Sequence, residues 1–306
     1  MIADDPGLDT LVRINTEDFL AALGLGHVRR GRRFLELLCR RLARRFAREM
    51  LAYDAVVGER GLAAGGLWAS SYYLERWSVE GQGRVPQNGP LLVVSNHPGL
   101  YDAALLFASI PRDDLLVIAA ERPFLRALPN TSRHLLYAGG EHGRLVVVRA
   151  AAAHLRRQGA ILTFPGGEIE PDPAFRPGEA DRVASWTDSA LIFARLAPDL
   201  AIVPAVVSGI HSAAAQRHPL TKLRRAQEDR EWLGAMLQVV AKGLARVEPR
   251  VAFGEPVRVS AEGPPGGRQA AAEAWREVVR RERALIQAAT YSLSVEPPNR
   301  RWLGFA

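Results

Sequence analysis

Four consecutive aliphatic residues, Leu91–Val94, are followed at once by polar residues and then by the turn-forming pair Pro98–Gly99. A short apolar run bounded in this way is typical of a strand buried on both faces, as in a parallel sheet. We therefore predict a strand over Leu91–Ser95. The segment Tyr101–Ile110 is rich in helix formers, so we expect a helix to begin near Asp102.

Five further apolar runs recur along the chain at intervals long enough to hold a helix between neighbouring strands. Such spacing favours crossover connections between parallel strands over tight hairpins. The sequence therefore predicts an α/β fold with a mainly parallel or mixed central sheet flanked by helices. The additional predicted strands are Leu115–Ala119, Leu135–Tyr137, Ala160–Phe164, Ile202–Val207 and Val251–Phe253.

Three regions are expected from the distribution of these patterns along the 306 residues. Residues 1–76 read as an N-terminal basic helical extension. Residues 77–260 contain the predicted strands and form the α/β domain. Residues 261–306 contain a proline- and glycine-rich connector, a helix predicted over 269–289, and a tail.

His97 and Asp102 lie five positions apart, on either side of the predicted strand-to-helix turn. A histidine takes up a proton from a hydroxyl near neutral pH, and a carboxylate on its Nδ1 fixes the tautomer and steadies the imidazolium. This pair can therefore activate a hydroxyl group that a substrate supplies. The alternative is structural, with Asp102 as a first-turn acid that favours the helix dipole and His97 as a capping residue.

A second predicted strand, Ala160–Phe164, ends at Pro165, Gly166 and Gly167, and the acid Glu168 follows. The carboxyl ends of parallel strands meet at one edge of a sheet, where ligand crevices form, so we expect this loop to lie beside the histidine motif. Glycines let backbone N–H groups approach an anion closely. A simple tight turn is the structural alternative.

In this order the motifs resemble the glycerophospholipid acyltransferases, a family that includes lysophosphatidic acid acyltransferase and glycerol-3-phosphate acyltransferase. Family members carry Asn-His, four residues and then Asp, which Asn96, His97 and Asp102 match. A preceding strand and proline-containing loop at Trp77–Pro90 are similar, and so is the later strand Ile202–Val207 with its Val-Pro pair.

The family's Phe-Pro-Glu-Gly-Thr block is matched only in part. Phe164 and Pro165 agree with the family pattern, and Gly167 matches its glycine. Gly166 stands where the family has glutamate, and Glu168 replaces the threonine.

The resemblance implies transfer of a fatty acyl group from a thioester, on coenzyme A or acyl carrier protein, to a hydroxyl of a lysophospholipid or glycerol-phosphate-like acceptor. It implies His97 as the general base and Asp102 as its orienting partner. No metal or redox cofactor is expected, because the thioester donor is a co-substrate. The residues that the resemblance places in substrate binding are Asn96, Phe164, Pro165, Gly166, Gly167 and Glu168.

Family members also have an arginine-bearing block that is associated with the acceptor's phosphate. Gly143–Arg149 is superficially similar, which makes Arg149 a candidate phosphate ligand. A second alignment is open, in which residues 144–158 form the helix that precedes the Phe-Pro strand, with Gly159 as its stop. The arginine block then falls at Leu135–Gly140, which contains no arginine.

Residues 29–48 concentrate the positive charge of a chain whose formal net charge is +7. Apolar residues three or four apart place Leu35, Leu38, Leu42, Phe46 and Met50 on one helical stripe flanked by arginines. A basic amphipathic helix is typical of a membrane-surface element attracted to anionic lipids. The alternative is a helix packed on the core by its apolar stripe, with solvated arginines.

Several classes of protein are disfavoured. The single cysteine, Cys39, allows no intrachain disulfide, and no histidine spacing suggests a metal site. No nucleic-acid-binding motif accompanies the basic segment, so no nucleic-acid partner is expected. The N-terminus lacks the features of a signal peptide and no apolar run is long enough to span a bilayer. We expect a cytoplasmic protein, peripheral to the inner face of the membrane.

An acidic, proline-containing run extends from Glu168 to Asp188. We expect it to be an exposed loop beside the site. Two alternative functions remain open at this stage. A hydrolase could use His97 and Asp102 to activate water on an ester or thioester, and a lipid-surface binding protein could retain the fold without the chemistry. The oligomeric state is not indicated.

Overall fold

The computed structural model describes residues 6–139, 143–176, 179–187, 189–197, 199–259, 268–291 and 301–303. Three helices precede the sheet, as the N-terminal pattern predicts. They are α1 (Pro6–Ala22), α2 (Arg32–Arg60) and α3 (Leu62–Tyr73). Helices α2 and α3 share one hydrophobic core with the sheet, so the N-terminal region packs directly on the α/β part.

Strands and helices alternate through the centre of the chain. The strands are β1 (Trp77–Glu80), β2 (Leu91–Ser95), β3 (Leu115–Ala120), β4 (Leu135–Ala138), β5 (Ala160–Thr163), β6 (Ala201–Ser208), β7 (Arg250–Phe253), β8 (Val257–Arg258) and β9 (Arg301–Leu303). The remaining helices are α4 (Asp102–Ser109), α5 (Pro123–Arg126), α6 (Pro129–Ser132), α7 (Gly143–Arg156), α8 (Ser189–Leu196), α9 (Ala213–Gln216), α10 (Gln227–Val240) and α11 (Arg268–Tyr291).

The described strands form one sheet in the order β4-β3-β5-β2-β6-β7-β1-β9, and β8 pairs with β6. The five strands from β4 to β6 are parallel to one another. On the other side, β7 is antiparallel to β6, β1 is parallel to β7, and β9 is antiparallel to β1. The predicted α/β class with a mainly parallel or mixed sheet is confirmed.

Alternate residues of the central strand β2 enter two different cores. Leu91 and Val93 pack in a cluster shared with helices α1 to α4, whereas Leu92 and Val94 pack with α7, α8 and α11. Both faces of the sheet are therefore covered by helices, which explains why β2 is an unbroken aliphatic run with no polar alternation.

The acidic run after Glu168 departs from the exposed loop that the sequence predicts. Asp172 is 1% exposed, and its two carboxylate oxygens accept hydrogen bonds from the N–H groups of Gly209 and His211, both at 2.9 Å. Glu170 is also buried, and a 3-10 turn forms at Glu179–Ser185. The exposed-loop prediction is wrong for these two acids, because they bond to backbone groups of remote segments.

The helix predicted over 269–289 is present as α11. Residues 261–267 of the expected connector and most of the expected tail lie outside the described residues. So do Asp188 and Pro177 of the acidic run. The predicted region boundaries at residues 76 and 260 stay predictions.

Candidate active site

His97 lies in the loop that joins β2 to α4, at the carboxyl edge of the parallel strands. The strand ends at Ser95, and two residues of the loop have left-handed backbone angles, with φ +86° at Gly99 and +56° at Leu100. Left-handed geometry is costly for a leucine, by about 1–2 kcal/mol. These two left-handed residues reverse the chain direction, so that Asp102, the first residue of α4, lies next to His97.

The structure brings His97 and Asp102 together. Nδ1 of His97 lies 2.7 Å from Oδ2 of Asp102, whose side chain is 1% exposed. The same Oδ2 accepts a hydrogen bond from the Gly99 N–H at 2.9 Å, and Oδ1 accepts one from the Ala103 N–H. Asp102 therefore stabilises the start of α4 and orients the imidazole at the same time, so the structural and the chemical interpretations of this residue are compatible.

Opposing effects set the pKa of His97. Burial lowers the pKa, while the charge of Asp102, its hydrogen bond and the more distant charge of Glu170 raise it, and the net pKa lies above the ordinary 6.5. With Nδ1 engaged by Asp102, the tautomer protonated at Nδ1 leaves a lone pair on Nε2. Nε2 is therefore the atom that can accept a proton from a bound hydroxyl.

The loop after β5 lies beside this histidine, as predicted. The Phe164 ring stacks on the His97 imidazole with centroids 4.4 Å apart. Pro165 is buried, and its carbonyl accepts from the N–H and the hydroxyl of Thr187. Gly167 has φ +73°, and its N–H donates to the Phe164 carbonyl at 3.0 Å. This N–H therefore closes the tight turn.

Asn96 is placed differently from the substrate-binding role that the resemblance implies. Its side chain is 2% exposed, its Nδ2 donates to the Val207 carbonyl at 2.9 Å, and its Oδ1 accepts from the Val207 N–H at 2.8 Å. These two bonds join the end of β2 to β6. Asn96 is therefore a structural residue that fixes the base of the His97 loop.

Glu170 contacts the same loop, and the sequence analysis missed it. Its carboxylate accepts from the His97 N–H at 3.0 Å, and its own N–H donates to the His97 carbonyl at 2.8 Å. The sequence indication for Glu170 was its position two residues after Glu168, close to the predicted site. Because the acidic run was predicted to be exposed to solvent, Glu170 was not chosen as a candidate.

A cavity of about 570 Å³ opens beside His97. Its wall is mainly apolar and comes from α2, α4, the carboxyl end of β3 and the segment that follows β3. Phe164, Gly167 and Glu168 of the second loop also line it, whereas Asn96, Pro165 and Gly166 are not among its described lining residues. Representative apolar wall residues are Phe46, Met50, Phe107, Val117 and Leu128.

Arg122 lies two residues after the end of β3 and is the one arginine or lysine among the cavity-lining residues that the structure describes. Arg149, the phosphate ligand candidate, lies within α7, its side chain is exposed, and it is outside the described cavity wall. The alignment in which residues 144–158 form a helix before the Phe-Pro strand therefore matches the structure. The sequence signal for Arg122 was its position at a strand's carboxyl end.

The first half of α2 forms an amphipathic surface that the core does not cover. Phe34, Leu37, Leu38 and Leu42 are 63%, 66%, 59% and 42% exposed. Within the predicted apolar stripe, Leu38 and Leu42 are exposed and Leu35 is half-buried, whereas Phe46 packs against the core and Met50 is buried, where α2 lines the cavity. The alternative of complete packing on the core is therefore wrong for this half of the helix. We call residues 32–42 the α2 surface.

Within the described residues, no helix is both long and apolar enough to cross a bilayer. A search of the same residues for three or more histidine, cysteine or acidic side chains arranged around a common metal position finds none.

Comparison with known proteins gives one family match. Residues 76–208 match the family model described as Acyltransferase. A comparison with curated proteins finds no match. Among solved structures, the crystal structure of the 1-acyl-sn-glycerophosphate (LPA) acyltransferase PlsC from Thermotoga maritima is similar, with 16% identity, a TM-score of 0.36, and coverage of 88% of this chain and 96% of that chain.

Proposed function

We propose that this chain, whose residues 76–208 match the acyltransferase family model, transfers a fatty acyl group from a thioester donor to a hydroxyl of a lysophospholipid or glycerol-phosphate-like acceptor. Coenzyme A or acyl carrier protein carries the acyl group. One observation carries the proposal: the His97–Asp102 pair, joined at 2.7 Å, opens on a large apolar cavity.

The proposed reaction follows from the orientation of the imidazole. Nε2 of His97 accepts the proton of the acceptor hydroxyl as its oxygen attacks the thioester carbonyl. Asp102 stays ionised and stabilises the imidazolium that forms. The tetrahedral intermediate then collapses, the C–S bond breaks, and the thiolate leaves with the proton from His97. Because every step moves a proton or the acyl group, the proposed reaction requires no metal or redox cofactor.

The apolar cavity supports a long-chain donor. A cavity of about 570 Å³ lies within the size range of small-molecule sites, and its wall offers few groups that could hydrogen-bond a polar ligand. Burying acyl methylene groups against such a wall contributes about 0.8 kcal/mol per group. The acyl chain of the donor therefore lies in this cavity, and the carbonyl carbon of the thioester lies at the cavity mouth beside His97.

Arg122 supports an anionic acceptor. A guanidinium at the rim of the cavity can form paired hydrogen bonds with a phosphate group. We therefore assign the acceptor's phosphate to Arg122, in place of Arg149, which lies on the exposed face of α7.

The α2 surface supports a membrane-surface location. Its exposed Phe34, Leu37 and Leu38 lie on a segment that also carries exposed arginines, including Arg40 and Arg41. Apolar side chains that insert among lipid acyl chains and cations that meet anionic headgroups are the two parts of an interfacial helix. We propose that this surface holds the protein at the inner face of the cytoplasmic membrane, where its lipid acceptor is found.

One assay tests the proposed function. Purified protein is incubated with radiolabelled acyl-CoA and a panel of hydroxyl lipids with and without phosphate, and His97→Ala serves as the matched inactive variant. We expect acylated lipid from the wild-type protein alone. Free fatty acid without acylated lipid would establish a hydrolase instead, and no conversion with any donor or acceptor would support a lipid-surface binding role.

A further inference from the structure

Glu170 holds both backbone polar groups of His97. One carboxylate oxygen accepts from the His97 N–H at 3.0 Å, and the Glu170 N–H returns a hydrogen bond to the His97 carbonyl at 2.8 Å. The other carboxylate oxygen accepts from the indole N–H of Trp186 at 2.7 Å. Two N–H donors thus converge on one buried carboxylate. An ionised carboxylate has two acceptor oxygens and no donor, so it can accept a hydrogen bond from each of them.

Gly166 makes room for this carboxylate. A Cβ atom at residue 166 would lie 2.8 Å from the Glu170 carboxyl carbon and 3.0 Å from both of its oxygens. These separations are too short for an undisturbed contact, so any side chain at residue 166 would displace the carboxylate. Gly166 is the residue that stands where the family pattern has glutamate. In this chain the space beside residue 166 is occupied by a carboxylate from four residues further along the chain.

Several ionisable groups face this carboxylate. Burial raises the pKa of Glu170, while the hydrogen bonds from Trp186 and the His97 N–H, and the charges of His97 and Arg182, oppose that rise. Glu282 approaches from α11, is fully buried, and has a pKa that burial raises strongly. Asp102 faces the other side of His97. Burying a carboxylate costs free energy unless it accepts hydrogen bonds. The hydrogen bonds from the His97 N–H and Trp186 offset this cost for Glu170.

We propose that Glu170 is a positioning residue for His97: its carboxylate, seated in the space that Gly166 leaves open, fixes the backbone of the catalytic loop so that Nε2 faces the cavity. The inference rests on the proposed transfer reaction. Asp102 fixes the rotation of the imidazole ring, and Glu170 fixes the position of the His97 backbone to which the ring is attached. Glu170 itself touches no reacting atom.

Glu170→Gln is the sharpest variant, because glutamine has the same shape but places an NH₂ group against one of the two converging N–H donors. Asp181→Asn is the matched control, since Asp181 is an 84% exposed acid in the same segment and pairs only at the surface with Arg283. Gly166→Ala approaches the same contact from the other side: its methyl group displaces the carboxylate while every hydrogen-bonding group remains.

The measurements are kcat and KM for acyl-CoA, the thermal unfolding midpoint, and the His97 titration followed by NMR of histidine-labelled full-length protein. We expect Glu170→Gln to lower kcat about 10- to 100-fold, as small displacements of a catalytic group do, with KM changed less than about twofold. Gly166→Ala should lower kcat in the same way. The double variant should be no worse than the poorer single variant, because both act through one contact.

The NMR titration separates this inference from the proposed function. Removing the Glu170 charge should lower the His97 pKa, while Asp181→Asn should leave it unchanged. If the wild type transfers no acyl group, the proposed function fails. The positioning role is tested separately in the same NMR samples, where an unchanged backbone amide shift of His97 in both folded Glu170→Gln and Gly166→Ala would overturn it. If the wild type is active, a kcat within twofold of wild type in folded Glu170→Gln or Gly166→Ala overturns it. Fully multiplicative losses in the double variant do the same.

Discussion

One oxygen of Asp102 bonds both the imidazole of His97 and the backbone N–H of Gly99, at 2.7 and 2.9 Å. The aspartate therefore fixes the ring and the turn that carries it with a single atom. Replacing Asp102 by Asn puts an amide NH2 group either against Nδ1 of His97 and the Gly99 N–H or against the Ala103 N–H, so a bond of the turn is lost in both cases. An amide against Nδ1 also favours the wrong imidazole tautomer.

We expect Asp102→Asn to lower kcat for acyl transfer by on the order of 100-fold, the scale of a disabled general base. The measurement is steady-state transfer of a labelled acyl group, with circular dichroism to confirm folding. His218→Ala, at a surface histidine that bonds only its own turn, is the control. Transfer within a few-fold of wild type in Asp102→Asn would remove the orienting role.

The raised pKa of His97 predicts a pH dependence of transfer. Because the neutral imidazole is the proposed base, kcat/KM should fall as the pH drops through the pKa of His97, and this acid limb should lie above pH 6.5. Asp102→Asn removes the main effect that raises the pKa, while burial still lowers it, so the limb of its residual activity should move to lower pH. A limb that stays in place would show that another group controls it.

Arg122 and Arg149 give opposite predictions for acceptor binding. Arg122→Ala should raise KM for a phosphorylated acceptor about tenfold while leaving KM for the acyl donor within twofold, since a phosphate loses its charged partner. Arg149→Ala should change neither value. The two variants are compared on one acceptor with and without its phosphate. If only Arg149→Ala raised KM for the phosphorylated acceptor, the phosphate would be assigned to Arg149 on α7 and not to Arg122.

Asn96 should matter for stability through its two bonds to Val207. Asn96→Ala leaves a buried N–H and a buried carbonyl of β6 without these partners, which costs about 2 kcal/mol of unfolding free energy. Urea unfolding measures the change, and Asn88→Ala, at an exposed asparagine of the preceding loop, is the control. Equal stability of the two variants would contradict the structural role.

The α2 surface should bind anionic vesicles. Combined Phe34→Ser, Leu37→Ser and Leu38→Ser should weaken cosedimentation with these vesicles at least about tenfold, because apolar insertion is lost. Binding of the wild type should also fall as salt rises, because screening weakens the attraction of the arginines. Combined Leu145→Ser, Val146→Ser and Leu223→Ser, at exposed apolar residues elsewhere, is the matched control. Equal losses in both triple variants would reject a role specific to α2.

The parts of the molecule that sequence predicted well are those that local pattern determines. The aliphatic run of β2 and the Pro-Gly turn after it specify a buried strand and a sharp return of the chain, which together bring Asp102 to His97. The reversed direction of β7 and β1 was not predicted, because an apolar run carries no sign of strand direction.

Non-local partners explain the other differences. Glu170 and Asp172 look like solvated acids in a proline-containing run, yet each accepts N–H groups from remote segments. Nothing adjacent to them in sequence marks those donors. Arg149, the predicted phosphate ligand, lies outside the described cavity wall for a related reason: its helix turns it outward, and a motif match alone does not define which way a helical residue faces.

The two hydrogen bonds of Asn96 to Val207 span 111 residues of sequence. During synthesis on the ribosome, His97 and Asp102 emerge together and early, but the strand that supports their loop emerges only much later. A nascent chain shorter than about 207 residues therefore holds both side chains without the strand that fixes their loop. Acyl transfer should therefore appear only late in translation, and truncated products that end before Val207 should show no transfer activity.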